Sequence, residues 1–146
     1  MTVRFVVPGT PQGKARPRVV RNQYSGRVIA FTPEKTAEYE SLIRKQYIEA
    51  ARITPGCELP ARQLRIIIEA FYAIPKRTTK TMRKLMEENR IRPSVKPDWD
   101  NIGKAVCDAL NGIAYRDDSQ IVDAVCRKFY GKPPRVEVTI SDITEV

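Results

Sequence analysis

The sequence predicts an α+β fold: one domain over residues 1–146, with a mixed β-sheet of about four strands and helices packed on it. Two observations lead there. With 146 residues and 42% hydrophobic content, the chain is large enough for a real core and too small for two comfortable ones. Segments of strand and helix character follow one another as β-α-β-(α)-α-β-β, an order that describes helices layered on a mixed sheet. No internal repeat, low-complexity tract or interdomain linker breaks the sequence up.

Taken in order, residues 2–7 read as a first strand, ended by Pro8-Gly9. Residues 8–27 read as a loop rich in proline, glycine and cations, and Val28 to Phe31 as a short extended piece. Thr32-Pro33-Glu34 supplies an N-cap and first turn. The helix that follows runs to about Arg52, with Tyr39, Leu42, Ile43, Gln46 and Tyr47 near helical spacing, and Pro55-Gly56 stops it. Gln63 to Ile74 is a β-branched and aromatic run, the pattern of a buried strand. Pro75 to Lys96 is a basic insertion, eight Lys/Arg against Glu87 and Glu88, whose centre from Thr79 to Asn89 suits a short surface helix. Asp100 to Asn111 is the clearest helix: Ile102, Ala105, Val106, Ala109 and Leu110 form one apolar stripe, and Gly112 is a natural C′ residue. Two strands, Gln120 to Tyr130 and Arg135 to Ile143, close the pattern, joined by the turn Gly131-Lys132-Pro133-Pro134. Val136, Val138 and Ile140 fall on one face of the second.

A net charge of +9 and a pI near 9.7 point to an anionic partner, for which nucleic acid is the default. No stretch approaches the roughly 18 apolar residues of a membrane span, and the N-terminus lacks the apolar core of a signal peptide, so a cytoplasmic, DNA-associated protein is expected. Cys57, Cys107 and Cys126 form no CxxC and are expected to be reduced, buried thiols. The chain has no histidine, which excludes Ser-His-Asp and Cys-His catalysis, His-ligated zinc and any histidine general base. Hydrolysis in such a chain must run on carboxylates, lysines, water and metal.

Against that basic background, six aspartates fall between residues 98 and 123. Grouped carboxylates repel each other and a nucleic acid unless a divalent cation sits between them. Asp98 and Asp100 are two apart, so in an extended segment leading into the helix both point the same way and can share one hard cation. Pro97 favours that extended approach. The alternative is that Asp100 caps the helix and Asp98 is solvated. Asn101, Lys104 and Asp108 share the polar face; Lys104 is close enough to reach a metal-held phosphate, or pairs with Asp100 or Asp108 on the surface. Asp117-Asp118-Ser119 reads as a turn, and a hairpin-like return from the helix would bring a third carboxylate to the acidic pocket. Trp99 can stack on a base or pack beneath the site, and packing is the expectation. The basic segments 14–27 and 76–96, with Lys14, Arg16, Arg18, Lys76, Arg77 and Lys96, are the expected phosphate contacts.

The run Lys96-Pro97-Asp98-Trp99-Asp100-Asn101-Ile102-Gly103-Lys104-Ala105-Val106-Cys107-Asp108-Ala109-Leu110-Asn111-Gly112, followed by Asp117-Asp118-Ser119-Gln120-Ile121-Val122, resembles the RusA family of Holliday-junction resolvases. The match is tightest over residues 96–128 and extends loosely to Pro8-Gly9, Pro11, Lys14, Arg16-Pro17-Arg18 and the last strand. The resemblance implies a RusA-like, homodimeric, Mg²⁺-dependent endonuclease of bacteria and their phages that acts on four-way and other branched DNA, with Mn²⁺ a possible substitute. It implies that Asp98, Asp100 and Asp118 form the acidic metal site and that Lys104 is the helix lysine. Trp99 and Gly103 stand where the family commonly has aliphatic residues, and neither change removes a ligand. A branched-DNA-binding protein without nuclease activity is the alternative reading, with the aspartates as caps and turns. A DxD glycosyltransferase is remote, because the chain is short and has no nucleotide-binding βαβ unit.

Overall fold

A computed structural model describes residues 1–143, the side chain of Arg18 excepted. The core element is a four-stranded mixed sheet built from β1 (Thr2–Pro8), β4 (Leu64–Tyr72), β5 (Ile121–Tyr130) and β6 (Arg135–Asp142), in the order β1-β6-β4-β5. β6 runs antiparallel to both β1 and β4, whereas β4 and β5 are parallel. A parallel pair needs a long crossover, and residues 73–120 supply it, carrying α2 (Lys80–Glu87) and α3 (Trp99–Leu110). The other helix, α1 (Glu34–Ala51), lies across β1 and beside α3. This is the α+β layer expected from the order of elements.

Period-two alternation decides the inner face. Val3, Phe5 and Val7 of β1, Leu64, Ile66, Ile68, Ala70 and Tyr72 of β4, and Val136, Val138 and Ile140 of β6 are all buried. They meet Tyr39, Ile43 and Tyr47 of α1 and the full α3 stripe, Ile102, Ala105, Val106, Ala109 and Leu110. Burying Ile102 and Leu110 completely contributes about 1.5–3 kcal/mol each. Gly112, at φ +77, takes the left-handed conformation just past the end of α3, the role its position predicts.

Several local expectations need correction. Part of the segment read as loop is strand: β2 (Arg18–Arg21) pairs with β3 (Val28–Phe31) in a hairpin of its own. Thr32 does not cap α1; Pro33 holds the cap position, with no side-chain cap bond. That helix ends on Arg52, itself left-handed at φ 54, ahead of Pro55-Gly56. Cys57 is exposed, and Cys107 and Cys126 are only partly buried. β5 and β6 are consecutive but not neighbours, because the turn between them passes over the end of β4. There the Gly131 N–H donates to the Tyr72 carbonyl at 3.0 Å, and a Cβ on Gly131 would lie 2.8 Å from Cδ1 of Phe71. A side chain at this position would have to displace the Phe71 ring, so glycine suits the crossing.

The loop between β1 and β2 is also fixed. Its Gly9 N–H donates to the Pro134 carbonyl at 3.1 Å, Pro11 is buried, and the Lys14 N–H donates to the Asn101 carbonyl at 3.2 Å. The Lys14 ammonium then pairs with Glu40 of α1 at 2.5 Å and Asp108 of α3 at 3.4 Å. Partial burial alone would lower the lysine pKa, but the two carboxylates outweigh it and hold the group above its ordinary value of 10.5. Lys14→Met should cost about 1–3 kcal/mol by leaving Glu40 without its cation. Because the folded-state pKa is raised, the loss should be full at neutral pH and fade as pH climbs past 10.5. Urea unfolding of both proteins across that range measures it; an equal difference at every pH would discount the ion pair.

Candidate metal and DNA site

The acidic segment is held at the end of the sheet where β4 stops. The Tyr72 hydroxyl donates to the Pro97 carbonyl at 2.7 Å, fixing the chain one residue before the first aspartate. Burial is the main reason the Tyr72 phenol is pushed up to about 12, with Cys126 and Asp98 adding to it, so this donor stays protonated at neutral pH. From the other side Gly13 packs on the segment: a Cβ there would lie 2.7 Å from Nδ2 of Asn101 and 3.1 Å from Cβ of Pro97. Asp98 takes the N-cap position with extended backbone (φ −70, ψ 154), and Asp100 falls in the first turn of α3.

Neither carboxylate is spent on the helix. Asp98 makes no side-chain cap bond although it stands at the cap, and both aspartates are exposed. The helix N-terminus favours their negative charge. Lys104, one turn further on, is exposed, and the ion pair foreseen for it goes elsewhere, since Asp108 faces Lys14. Trp99 is 65% exposed between the two acids, not packed beneath them.

Asp117 and Asp118 divide the turn between them. Asp117 caps the single 3₁₀ turn Asp118–Gln120, accepting from the Ser119 N–H at 3.0 Å; hydrogen bonds from Ser119 hold its carboxyl below the usual range. Gln120 anchors that turn, accepting from the Arg116 N–H at 2.8 Å and donating to the carbonyls of Arg62 at 3.0 Å and Pro60 at 3.3 Å. Asp118, partly buried, sits near Cys107 and Tyr115. Burial is the main cause that pushes the Cys107 thiol up to about 11 and raises the Tyr115 phenol, and Asp118 adds to both. At 1.5 Å per residue, the Asp108 end of α3 is about 12 Å along the axis from Asp100. The turn follows the C-terminal end of α3, with Asp118 near Cys107, about two turns along the helix from Asp100. Among the described residues no three acids or cysteines are grouped to hold one ion. The Asp98–Asp100 pair by itself fits a hard cation, since Mg²⁺ accepts one or two carboxylates beside water and phosphate oxygens.

The basic side chains separate into two groups. Arg16, Lys76, Arg77 and Lys96 are exposed, while Lys14 is committed to its ion pairs and the Arg18 side chain lies outside the described residues. Lys76 lines a groove of about 520 Å³ together with Ile74, Arg83, Tyr130 and Lys132. That groove lies at the Tyr72 end of the sheet, the same end as Asp98. Arg83 and Lys132 were not singled out from sequence; only the fold brings the insertion and the β5–β6 turn together. Arg92 and Lys128 serve the fold instead. Arg92 stacks 4.3 Å from the Phe129 ring centroid and donates to the Lys128 carbonyl, and Lys128 donates to the Val95 carbonyl at 2.6 Å.

Residues 8–141 match the family described as Endodeoxyribonuclease RusA. The chain is also 34% identical over 148 residues to "Uncharacterized protein YqaN" of Bacillus subtilis (strain 168), with 97% of each chain covered. No helix among the described residues is long and apolar enough to cross a membrane. With that match spanning nearly its whole length, the chain belongs to the RusA endodeoxyribonuclease family.

Proposed function

We propose that this protein is a Mg²⁺-dependent, structure-selective endonuclease that resolves Holliday junctions by paired symmetric nicks. The observation that carries the reading is the pair of unspent carboxylates, Asp98 and Asp100, at the start of α3 on an otherwise strongly basic chain. Those two residues would hold the metal. Bound there, it would supply a polarised phosphate and a water of lowered pKa. Lys104, exposed one turn away, orients and neutralises the phosphoryl oxygens as charge builds on them. Arg16, Arg77, Lys96 and the Lys76 groove bind the DNA backbone. Hydrolysis leaves a 5′-phosphate and a 3′-hydroxyl.

A four-way junction is nearly two-fold symmetric, so a C₂ dimer carrying two sites matches its need for two nicks. The dimer also answers a local problem. Asp118 lies at the far end of α3 from Asp98–Asp100 in its own chain, and we assign it to the metal site of the partner subunit. A branched-DNA-binding protein without nuclease activity is the alternative reading, and cleavage tests decide between the two.

Asp100→Asn should lower junction cleavage in Mg²⁺ by more than the roughly 100-fold ceiling for outer-shell partners of a metal, with junction binding in EDTA unchanged. Lys104→Ala should keep binding and lose about 100-fold in rate. Undiminished cleavage by Asp100→Asn removes the metal assignment, and absence of cleavage by the wild type under Mg²⁺ and Mn²⁺ selects the binding-only protein.

Mixing Asp100→Asn with Asp118→Asn tests the shared site. Neither variant alone should cut, but a mixed dimer with trans sites keeps one intact centre, so nicking should reappear on mixing. A dead mixture places Asp118 in its own chain's site, and cutting by Asp118→Asn alone places it outside any site.

Replacing Lys76 with alanine should reduce the slope of log affinity against log salt by about 1. An unchanged slope in a salt titration by fluorescence anisotropy excludes Lys76 from phosphate contact.

A further inference from the structure

The β2–β3 hairpin stands apart from the core. Among the described residues its strands pair only with each other, in the register Val20↔Ile29 and Arg21↔Val28. Apolar side chains line both faces of the ribbon: Val19 is 66% exposed, Val28 63%, Ile29 53% and Phe31 43%. A lone two-stranded hairpin is marginal in water, and one that shows hydrophobic residues on both faces has its occupant elsewhere.

Charge identifies the occupant. Residues 16–31 carry Arg16, Arg18, Arg21 and Arg27, and the chain has no acidic residue before Glu34. Pairing this ribbon with a second copy would press like charges together, which disfavours a protein interface between copies. DNA meets the cations with phosphates and the apolar residues with sugars and bases. The site is close by: four residues before β2, the Lys14 N–H is bonded to the Asn101 carbonyl beside Asp98 and Asp100.

The tip is shaped for a base. Oδ1 of Asn22 accepts from the N–H groups of Tyr24 at 2.8 Å and Ser25 at 3.3 Å, and Gly26 returns the chain at φ +69. The Asn22 N–H donates to the Arg27 carbonyl at 2.8 Å, closing the turn. Tyr24 is thereby lifted clear at 99% exposure, between Arg21 and Arg27. An aromatic ring held out on a cationic ribbon can stack on any unstacked base.

We propose that this hairpin is the branch-point reader, with Arg21 and Arg27 on the phosphates of adjoining strands and the Tyr24 ring stacked on a base freed at the crossover. The proposal rests on the nuclease reading for DNA as the ligand and adds the element that selects its branched form. Tyr24 lies outside the metal site, and at its exposure the fold does not depend on it.

Affinities of wild type and Tyr24→Ala for a four-way junction and for linear duplex, measured by anisotropy in EDTA, test this directly. Tyr24→Ala should lose about tenfold on the junction, the scale of one stacked base, and nothing on duplex. A 2-aminopurine at the crossover should change its fluorescence on binding wild type and not on binding the variant. Arg21→Gln/Arg27→Gln should weaken both DNAs and lower the salt slope. Equal junction preference in wild type and Tyr24→Ala overturns the inference while leaving the nuclease reading intact. A Tyr24-dependent preference in a protein that never cuts upholds it and overturns the nuclease reading. Absence of any junction preference in the wild type sinks both. A change of mass for Tyr24→Ala in sedimentation velocity, with unaltered DNA affinity, assigns the ribbon to contacts between copies instead.

Discussion

Burial of one apolar stripe on α3 sets the direction of every polar group around it. Ile102, Ala105, Val106, Ala109 and Leu110 must all face the sheet and α1, and at 3.6 residues per turn the helix then has no rotational freedom left. Asp100, Lys104 and Asp108 are consequently carried outward in a line, with the start of that line tied to β4 through Tyr72 and Pro97. The precision of the acidic site comes from hydrophobic packing on the opposite side of the same helix.

Charge is then distributed by position. Asp108 and Glu40 receive Lys14, and Asp117 receives the Ser119 N–H, so these acids are neutralised or capped within the fold. Asp98 and Asp100 have been left exposed and unneutralised where a helix N-terminus tolerates negative charge. Basic residues split in the same way. Arg92, Lys128 and Arg135 are stacked over Phe129, Tyr72 and Phe71, whereas Arg16, Lys76, Arg77 and Lys96 stay free for an anion. A sum of charges cannot separate these uses; the fold does.

Periodicity made α3, β6 and the inner face of the sheet legible, since each is buried on one side only and repeats at its own period. Other features depend on contacts distant in sequence. The Asn22 side chain shapes the β2–β3 turn locally, but Arg and Val in succession look like loop until their antiparallel register is known. Lys14 reads as a DNA contact because its two carboxylate partners lie 26 and 94 residues away. Asp98, Asp100 and Lys104 are easy to relate from sequence, because they lie at or just inside the start of one helix, where sequence distance and real distance agree. Asp118 is harder to place from sequence, because the path of residues 111–117 decides where it lies relative to the helix. Gln120 looked like a mere motif letter and proves to hold that turn to Pro60 and Arg62.

The strand order has a consequence for how the molecule comes into being. β6 lies between β1 and β4, so the first and fourth strands have no edge to share until residues 135–142 exist. During synthesis β1 waits unpaired while nearly the whole chain is made, and α1 has only half a surface to settle on. Closure of the sheet is therefore a late, long-range event that ties the two halves of the sequence into one cooperative unit. A fragment that stops short of β6 keeps the β4–β5 pair but leaves β1 and the facing edge of β4 without a partner strand.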